Sequence, residues 1–467
     1  MRTMRGMAAT LALVAVASVA FAEAPDGYDA ALGDFRSLLA RVVAADTTNP
    51  PGNEARAVAI LAARLDAEKI PYEITDFAPG RQNIVARLAG AGTEKPLLLI
   101  AHLDVVGAEG QPWTSPPHTV TEQDGFLVGR GVSDDLGMGL MELETLVLLK
   151  RSGTQLRRDV ILALTGDEET AGTGVRWLLD HRPQSIAAAV AFNEGGGVRL
   201  RDDASVSYVG LQAAEKTYQD FQLTAKGPTG HSSVPYPDNA IYRLARALDR
   251  IGQHRFPVRM LPITRAFFAA RAAVEAPALA AALRAAAAAK GPVPQGTLKT
   301  IEQNPVLGAT LRTTCVATLV AGGTRVNALP AEAHATVNCR ILPDESIEQV
   351  RAALVGVVGD PAVAIEPLEI YGSSPASTIE GEGPRSVHDV AAKMWPSIPV
   401  IPILSLGATD SRYLRARGIT AYGLNPIALT ESDGRRAHGV DERIPVASLR
   451  PGIEFMHRLV LELAAQR

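Results

Sequence analysis

The decapeptide LLLIAHLDVV, residues 97–106, is the clearest indication of the fold class of this chain. It begins with a continuous apolar run, which is typical of a strand buried on both faces of a parallel sheet. The run ends in His102 and Asp104. Residues two apart on a strand share a face, so both side chains point the same way at the carboxyl end of the strand, where open α/β sheets bind ligands. His102 is therefore a candidate metal ligand and Asp104 a candidate for orienting the imidazole or a neighbouring group, with a purely structural pair as the alternative.

Short apolar runs of the same kind recur at residues 160–164 and 187–192, with helical stretches between them. This alternation predicts an α/β fold in which a mainly parallel central sheet is flanked by helices. From about Lys216 the pattern changes to alternating strands and a helix, which indicates a smaller inserted α+β domain. Apolar strands then resume in the tail. The predicted domains are a main domain built from residues 23–215 and 373–467 and an inserted domain built from residues 216–372.

The composition of the 467 residues limits the possible partners. A formal net charge of −4 gives no broad basic field, which argues against nucleic acid or an anionic membrane surface and favours a small-molecule substrate. The alanine-rich residues 269–290 have a strong helix propensity and little chemistry, so we interpret them as a surface helix of the inserted domain.

The first 22 residues have the pattern of a signal peptide. Arg2 and Arg5 precede an apolar run, and Ala20-Phe21-Ala22 offers small residues where a signal peptidase cleaves. A membrane anchor is the alternative, but the run is shorter than the roughly 20 residues needed to span a bilayer. We predict cleavage after Ala22 and export, to a periplasm or out of the cell, with no membrane attachment afterwards.

The two cysteines, Cys315 and Cys339, would meet an oxidising compartment after export. A disulfide is permitted there, and two buried free thiols are the alternative.

Other segments of the chain also end in side chains that could bind a metal ion together with His102 and Asp104. Asp134 closes the glycine-rich turn GRGVSDD, which by itself could be a surface turn that caps a helix. Glu168 and Glu169 follow an apolar strand, and adjacent carboxylates repel one another unless cations or solvent separate them. Glu194 ends another strand, and His438 lies in the tail. Together they supply the imidazoles and carboxylates that a two-metal hydrolase needs.

On these segments the chain resembles the dinuclear-zinc metallopeptidases of clan MH, the family that includes acetylornithine deacetylase, succinyl-diaminopimelate desuccinylase, glutamate carboxypeptidase, aminoacylase and carnosinase. The resemblance covers nearly all of the predicted mature chain and is strongest to the branch of Gly-X carboxypeptidase and N-acyl-amino-acid hydrolases. The segments that carry the family resemblance are TTNPPGNE (47–54), AHLDVV (101–106), GRGVSDD (129–135), GDEETAG (166–172), GHSS (230–233) and RVNALP (325–330). Those that indicate the branch are NEGG (193–196), VNCRILPDES (337–346), GATDSRYL (407–414) and HGVDER (438–443).

The resemblance implies a role for each candidate residue in binding two zinc ions, for which Co²⁺ or Mn²⁺ are possible substitutes. His102 and Glu194 would bind one ion, Glu169 and His438 would bind the other, and Asp134 would bridge them, usually with a cis peptide after it. Asp104 would be the acid behind His102. Glu168 would act as the general base that takes a proton from water and passes it to the leaving amine.

The resemblance also implies substrate contacts. His231 matches a histidine that reaches the oxyanion, sometimes from a partner subunit, although an exposed loop histidine is the alternative. Asn327 and Arg340 match positions that hold the substrate, and a bidentate arginine suits a terminal carboxylate. A plain salt bridge is the alternative for Arg340. The loop that contains Thr409, Asp410, Ser411 and Arg412 would line the same pocket.

The expected function is hydrolysis of an amide bond adjacent to a free carboxylate, in a dipeptide, at a peptide C-terminus or in an N-acyl amino acid. A deacylase of the acetylornithine or succinyl-diaminopimelate type and a non-catalytic exported binding protein are the alternatives. The resemblance also implies that the inserted domain is a lid over a catalytic domain and that a homodimer forms through this lid. One departure from the family pattern is Leu136, where a lysine usually stands, which alters the charge near the start of a helix.

Overall fold

The computed structural model describes residues 25–369, 372 and 374–466. The predicted signal peptide lies outside the described residues. In chain order the strands are β1 (Tyr72–Ala78), β2 (Arg81–Leu88), β3 (Leu97–His102), β4 (Thr121–Gln123), β5 (Phe126–Val128), β6 (Val160–Thr165), β7 (Val190–Asn193), β8 (Gly197–Leu200), β9 (Val206–Glu215), β10 (Thr217–Lys226), β11 (Gly230–His231), β12 (Thr314–Gly322), β13 (Ala328–Leu329), β14 (Glu332–Ile341), β15 (Val363–Pro367), β16 (Val400–Ser405), β17 (Thr420–Gly423) and β18 (Arg443–Pro445).

The α-helices account for most of the remaining ordered backbone. They are α1 (Pro25–Ala44), α2 (Glu54–Ala67), α3 (Leu136–Ser152), α4 (Thr173–His181), α5 (Ala240–Gln253), α6 (Pro262–Arg271), α7 (Pro277–Ala288), α8 (Gln295–Ile301), α9 (Pro305–Ala309), α10 (Ile347–Val358), α11 (Glu382–Met394), α12 (Ser411–Ala416), α13 (Glu431–Gly434) and α14 (Leu449–Ala464). None of the helices in the described ranges is both long and apolar enough to cross a membrane.

The large sheet has the strand order β1-β2-β6-β3-β7-β17-β9-β16, with β8 paired to β9. Its central strands β6, β3, β7 and β17 run parallel, and antiparallel strands flank them. On β3, Leu97 and Leu99 enter one core while Leu98 and Ile100 enter another, which explains the continuous apolar run. The predicted α/β fold with a mainly parallel, helix-covered sheet is confirmed.

Helices cover both faces of the large sheet. Side chains of α1, α2, α3 and α14 pack in the core on one face, and side chains of α4 and α12 pack in the core on the other. Because helices bury both faces of the sheet, polar side chains of its strands are accessible mainly at the strand ends. The carboxyl ends of β3, β6 and β7 are neighbours there, and His102 ends β3 while Glu169 and Glu194 follow β6 and β7.

A small antiparallel sheet, of order β12-β14-β10-β15, forms the second unit. Its residues alternate between two faces. Phe221 and Val337 point into an apolar core shared with α5 and α10, and Tyr218 and Arg340 lie on the opposite, polar face. Cys315 and Cys339 are paired directly across β12 and β14 and form a disulfide, with their Cα atoms 4.1 Å apart.

The alanine-rich segment is not a surface helix of the lid. It is divided between α6 and α7, and α6 packs on β16 of the large sheet. Phe268 and Leu283 share a core with Ile401, a residue of β16. The sequence predicts the helical conformation correctly but not the unit on which the helix packs. Helix propensity is a local property, whereas the strand that the segment covers lies more than a hundred residues further along the chain.

The chain consequently crosses between the two units four times. It leaves β9 of the large sheet at Glu215 and enters β10 at Thr217, then returns to the large sheet through α6 after α5. It reaches β12 again at Thr314 and finally goes back towards β16 after β15.

Candidate metal centre

Two histidines and several carboxylates meet at the carboxyl edge of β6, β3 and β7. His102 is the last residue of β3, Glu168 and Glu169 follow β6, and Glu194 follows β7. His102, Asp134 and Glu169 each place one donor atom within 4.8 Å of the others, and so do His102, Glu168 and Glu194. The strand order therefore brings together residues that are far apart in sequence.

Asp134 lies between the two histidines. Its Oδ1 is 3.3 Å from Nε2 of His102, and its Oδ2 is 3.1 Å from Nε2 of His438. Nε2 of His438 is also 3.0 Å from Oε2 of Glu169. The peptide bond that follows Asp134 is cis, as the resemblance implied. One carboxylate thus faces an imidazole with each of its oxygens, which is the arrangement that a bridging ligand requires.

These contacts shift the pKa values in opposite directions. Burial lowers the pKa of His102, but the hydrogen bond to Asp134 and the charge of Glu194 outweigh burial and raise it well above its usual value. Hydrogen bonds to Asp134 and Glu169 raise the pKa of His438 to about 10. Burial raises the pKa of Asp134, yet its two histidine partners bring it below the usual range. Each shift favours the charged form of its group, so Asp134 and the two histidines attract one another.

Asp104 holds the neighbouring loop. Its carboxylate accepts hydrogen bonds from the backbone N–H groups of Glu168 and Glu169, each at 3.1 Å, and from the side-chain amide of Asn49 at 2.8 Å. Nδ1 of His102 lies 2.8 Å from the backbone carbonyl oxygen of Asp104 and 3.7 Å from its carboxylate. Asp104 therefore orients His102 through its backbone and the two glutamates through its side chain.

Glu168 and Glu194 are carboxylates that burial disfavours in their charged form. Burial raises the pKa of Glu168 well above its usual value, and the nearby charges of Asp410 and Glu169 raise it further against the lowering effect of His102. Burial and Glu168 together raise the pKa of Glu194 well above its usual value. A carboxyl group with a raised pKa can hold a proton near neutral pH, as a general base must after it has accepted one.

Glu442 fixes the loop that carries Asp134, a role that the sequence did not suggest. Its Oε1 accepts hydrogen bonds from the backbone N–H groups of Ser133 at 2.8 Å and Asp134 at 3.0 Å. Its Oε2 accepts from the backbone N–H of Gly131 at 3.1 Å and from the guanidinium of Arg130 at 2.8 Å. The only sequence signal was its place four residues after His438.

Two more acids that the sequence analysis missed lie under the site. Asp135 and Glu142 are fully buried near the start of α3 and along it. Burial raises the pKa of Glu142 well above its usual value, and the charge of Asp135 raises it further. Leu136, which stands where the family usually has lysine, is buried against Gly131 and belongs to the main core.

Arg340 is the predicted substrate residue with the most favourable geometry. It lies on the polar face of the small sheet, over the ring of Tyr218 at 4.7 Å, and its Nε donates to the side-chain oxygen of Asn338 at 3.3 Å. In the part of the chain that the structure describes, neither of its Nη groups has a hydrogen-bond partner. The fork of the guanidinium is therefore oriented and available.

The loop that contains Thr409 and Arg412 lies close by. Thr409 donates to the buried carboxylate of Glu215 through both its backbone N–H, at 3.1 Å, and its hydroxyl, at 3.0 Å. Arg412 donates to the hydroxyl of Tyr413 at 2.8 Å. Burial lowers the pKa of Arg340, and the charge of Arg412 lowers it further. Thr409 thus holds the loop in place, whereas Arg412 adds positive charge beside Arg340.

His231 and Asn327 are not brought to the carboxylate cluster. Both are exposed: His231 is the last residue of β11 and Asn327 directly precedes β13, and the carbonyl oxygen of Asn327 accepts from the N–H of Ser232 at 3.1 Å. Nδ1 of His231 lies 2.8 Å from the hydroxyl of Ser233. Across the described ranges, no hydrogen bond or ion pair joins either residue to the cluster.

The donor set fits a pair of divalent metal ions. Imidazole and carboxylate are the ligand types that zinc takes in hydrolases, and two imidazoles with four carboxylates are present. Among the described residues, Oε1 of Glu169 is buried and has no hydrogen-bond partner, so this oxygen is left to bind a cation. Fold and site together define the class of this protein, a metallohydrolase.

Comparison with known proteins gives the family. The model for "Peptidase family M20/M25/M40" matches residues 98–462, so the chain belongs to this peptidase family. Among curated relatives, the N-fatty-acyl-amino acid synthase/hydrolase PM20D1 of Homo sapiens is 30% identical over 373 residues, which are 78% of this chain and 74% of that protein. The probable carboxypeptidase S-like 2 of Dictyostelium discoideum is 27% identical over 376 residues, 78% of this chain and 71% of that protein.

Solved structures share the fold. The M20 family metallo-carboxypeptidase Sso-CP2 from Sulfolobus solfataricus superposes with a TM-score of 0.70 at 17% identity, covering 91% of this chain and 98% of that one. Human carnosine dipeptidase 1 superposes with a TM-score of 0.65 at 16% identity, covering 94% and 98%. The family resemblance inferred from the sequence and its hydrolase class are confirmed.

Proposed function

We propose that this chain is a dinuclear zinc amidohydrolase that releases an amino acid from an N-acyl amino acid. The observation that carries the proposal is Asp134, whose two carboxylate oxygens each face one histidine at 3.3 and 3.1 Å. The name of the human relative, an N-fatty-acyl-amino acid hydrolase, supports the substrate class. A free carboxylate next to the scissile amide is the feature that such substrates share with peptides cleaved at the C-terminus.

The ligands would divide between two ions. His102 and Glu194 would hold one zinc, Glu169 and His438 would hold the other, and Asp134 would bridge them. Zinc supplies Lewis acidity, which lowers the pKa of water and polarises a carbonyl group. Asp104 would keep the ligands in place by accepting hydrogen bonds from the N–H groups of Glu168 and Glu169.

Glu168 would move the proton. As the general base, it takes a proton from the attacking water and then delivers it to the nitrogen of the leaving amine. Its burial among other acids supports this role, because a carboxyl group with a raised pKa is a better proton acceptor than an exposed one. Asp410, whose pKa burial raises to about 7, lies close enough to add to this effect.

Arg340 would recognise the substrate carboxylate with its free Nη groups. A planar guanidinium binds a carboxylate through two parallel hydrogen bonds, which fixes both distance and orientation. The ring of Tyr218 and the amide of Asn338 hold the guanidinium in position before the substrate arrives. Arg412 would contribute a second positive charge on the facing loop.

His231 and Asn327 would reach the substrate only after movement of the lid or from a second copy of the chain. We propose a homodimer formed through the small sheet, because β12 is an edge strand whose Val316, Leu319 and Val320 are 63%, 68% and 71% exposed. An exposed apolar edge strand favours pairing with another chain.

We also propose that the mature protein is exported, to a periplasm or out of the cell. The pattern of residues 1–22 supports export, and the disulfide between Cys315 and Cys339 is compatible with an oxidising compartment. Peptide carboxypeptidase activity is a second candidate, supported by the name of the Dictyostelium relative. The biosynthetic deacylase and the non-catalytic binding protein are not favoured by the comparisons.

The test is turnover of a panel of N-acyl amino acids, dipeptides and longer peptides by zinc-loaded and metal-stripped protein. Glu168→Gln should lower kcat by about 10²–10⁴-fold while the protein still binds two zinc ions. Glu169→Gln is the matched variant and should weaken zinc binding itself. Zinc loss in Glu168→Gln would make Glu168 a ligand rather than the base, and peptide turnover without N-acyl amino acid turnover would favour the second candidate.

A further inference from the structure

Lys216 is a buried cation at the first crossing between the two sheets. It stands between β9 and β10 and is 0% exposed. Its ammonium donates to the backbone carbonyl oxygen of Arg312 at 2.6 Å and to the hydroxyl of Thr314 at 3.4 Å. Throughout the described residues no carboxylate forms an ion pair with it. A buried, hydrogen-bonded ammonium without a counterion is costly, which suggests that its charge has a use.

The register of the small sheet places this ammonium beside Arg340. Tyr218 is directly opposite Arg340 on β14, and Thr314 of β12 is opposite Arg340 on its other side. Residues directly opposite in a sheet share a face, so Tyr218, Arg340 and Thr314 lie on the same polar face, and the ammonium of Lys216, which directly precedes β10, reaches that face. The hydrogen bond from Lys216 to Thr314 agrees with this placement.

The charges around Lys216 are mostly of its own sign. Burial lowers the pKa of Lys216 to about 7, and the neighbouring cations Arg340 and Arg312 lower it as well. Glu345, which follows β14, is the acid that raises it. Arg340 in turn has its pKa lowered by burial and by Arg412. An anion bound at Arg340 would offset repulsion within the whole group.

We propose that Lys216 is a specificity-determining residue, whose buried charge strengthens the preference of the Arg340 subsite for a substrate that bears a carboxylate. The proposal rests on the proposed function, since it concerns the same substrate group. Lys216 does not touch the substrate, because its ammonium is enclosed and bonded to Arg312 and Thr314. It acts through its charge on an anion held by Arg340.

This arrangement makes carboxylate binding depend on pH. A bound carboxylate favours the protonated form of Lys216 and so raises its pKa. By linkage, the carboxylate binds more tightly where Lys216 is protonated in the free protein, below about pH 7. Affinity should therefore fall as the pH rises from 6 to 8, although the ligand carboxylate itself stays ionised across that range.

The experiment compares an N-acyl amino acid with its carboxamide, which is neutral, on wild type and Lys216→Met. Binding to metal-free protein is measured by calorimetry at pH 6 and pH 8, and KM and kcat are measured on the zinc-loaded enzyme. Wild type should bind the carboxylate about tenfold more weakly at pH 8, the factor that one pKa unit represents. Lys216→Met should lose this dependence, bind the carboxylate about tenfold more weakly at pH 6 and show the change in KM rather than in kcat.

Lys226→Met is the matched control. It removes the same charge from the exposed end of the same strand, where Lys226 meets Glu332 at 3.5 Å, and should behave as wild type. An equal loss of carboxylate and carboxamide binding in Lys216→Met, or an unchanged pH dependence, would overturn the proposal. If that variant does not fold, Glu345→Gln should move the midpoint of the pH dependence to lower pH, and an unmoved midpoint would also overturn it. Absence of turnover by wild type with the binding pattern intact would contradict only the proposed function.

Discussion

At the scale of single residues, the site depends on acids that hold backbone rather than metal or substrate. Asp104 and Glu442 each accept hydrogen bonds from successive backbone N–H groups, and each holds one of the two loops that present the candidate ligands. Such supporting contacts set ligand position, and their loss commonly lowers metal affinity by about 10–100-fold.

Glu442→Gln should weaken the metal centre without changing a ligand. The carboxamide of glutamine has one acceptor oxygen where the carboxylate had two, and its NH₂ group would face some of the four donors that Glu442 now accepts from. Arg130 also loses its buried counterion. We expect about 10–100-fold weaker zinc binding and a fall of about 3 kcal/mol in the free energy of unfolding. Zinc titration and chemical denaturation measure the two effects. Glu431→Gln, which removes an exposed partner of Arg435, is the control and should change neither.

His457 should make the protein less stable in mild acid. Burial lowers its pKa to about 4, and its Nδ1 lies 2.9 Å from the hydroxyl of Tyr28. The unfolded chain, in which histidine has its usual pKa, binds the proton more readily, so stability falls as the pH drops from about 6.5 to 4. The loss amounts to at most about 3 kcal/mol. The denaturation midpoint should change less with pH across this range in His457→Gln than in wild type. An equal change with pH in both proteins would contradict the role given to His457.

The sequence predicted the residues at strand ends better than the residues that support them. His102, Glu168 and Glu194 could be found because an apolar run followed by a polar group is a local pattern, and parallel strands carry such groups to one edge. Glu442 and Lys216 left no such pattern. The first is defined by N–H groups some three hundred residues away in sequence, and the second by cross-strand neighbours on β12 and β14.

At the scale of elements, the small sheet depends on a covalent link between two of its strands. The disulfide joins Cys315 on β12 to Cys339 on β14, which is fully buried in the core of that sheet. The sequence left this pairing open because strand register is not visible in it. The packing of α6 on β16 could not be predicted from the sequence either, because hydrophobic periodicity along a helix does not show which strand the helix covers.

Removal of the disulfide should destabilise the small sheet. The two cysteines are 24 residues apart, and a closed loop of this size is worth about 3 kcal/mol through the entropy of the unfolded chain. Cys315→Ala/Cys339→Ala should lower the free energy of unfolding by this amount, and hydrogen exchange should quicken mainly in β10, β12 and β14. Wild type with its disulfide reduced is the matched control, since it keeps both side chains. Equal stability of oxidised and reduced protein would contradict the expectation.

At the scale of the whole molecule, the exposed edge of the small sheet determines the proposed assembly. Val320→Lys places a charge on that edge strand, and burial of one unpaired charge in an interface should weaken dimerisation by at least about tenfold. Sedimentation velocity at several concentrations measures the change. Val355→Lys on α10 is the control, because that valine is exposed but lies away from β12. A monomeric wild type at micromolar concentration would refute the dimer.

The four passages of the chain between the two units limit how the smaller one can move. We call the four connecting segments tethers. A unit joined to the rest of a protein by one or two tethers can rotate and translate, and each further tether restricts these motions. Here the first and third tethers are themselves fastened together, because the ammonium of Lys216 bonds to the carbonyl oxygen of Arg312. The first and third tethers must therefore move together whenever the smaller unit moves relative to the large sheet.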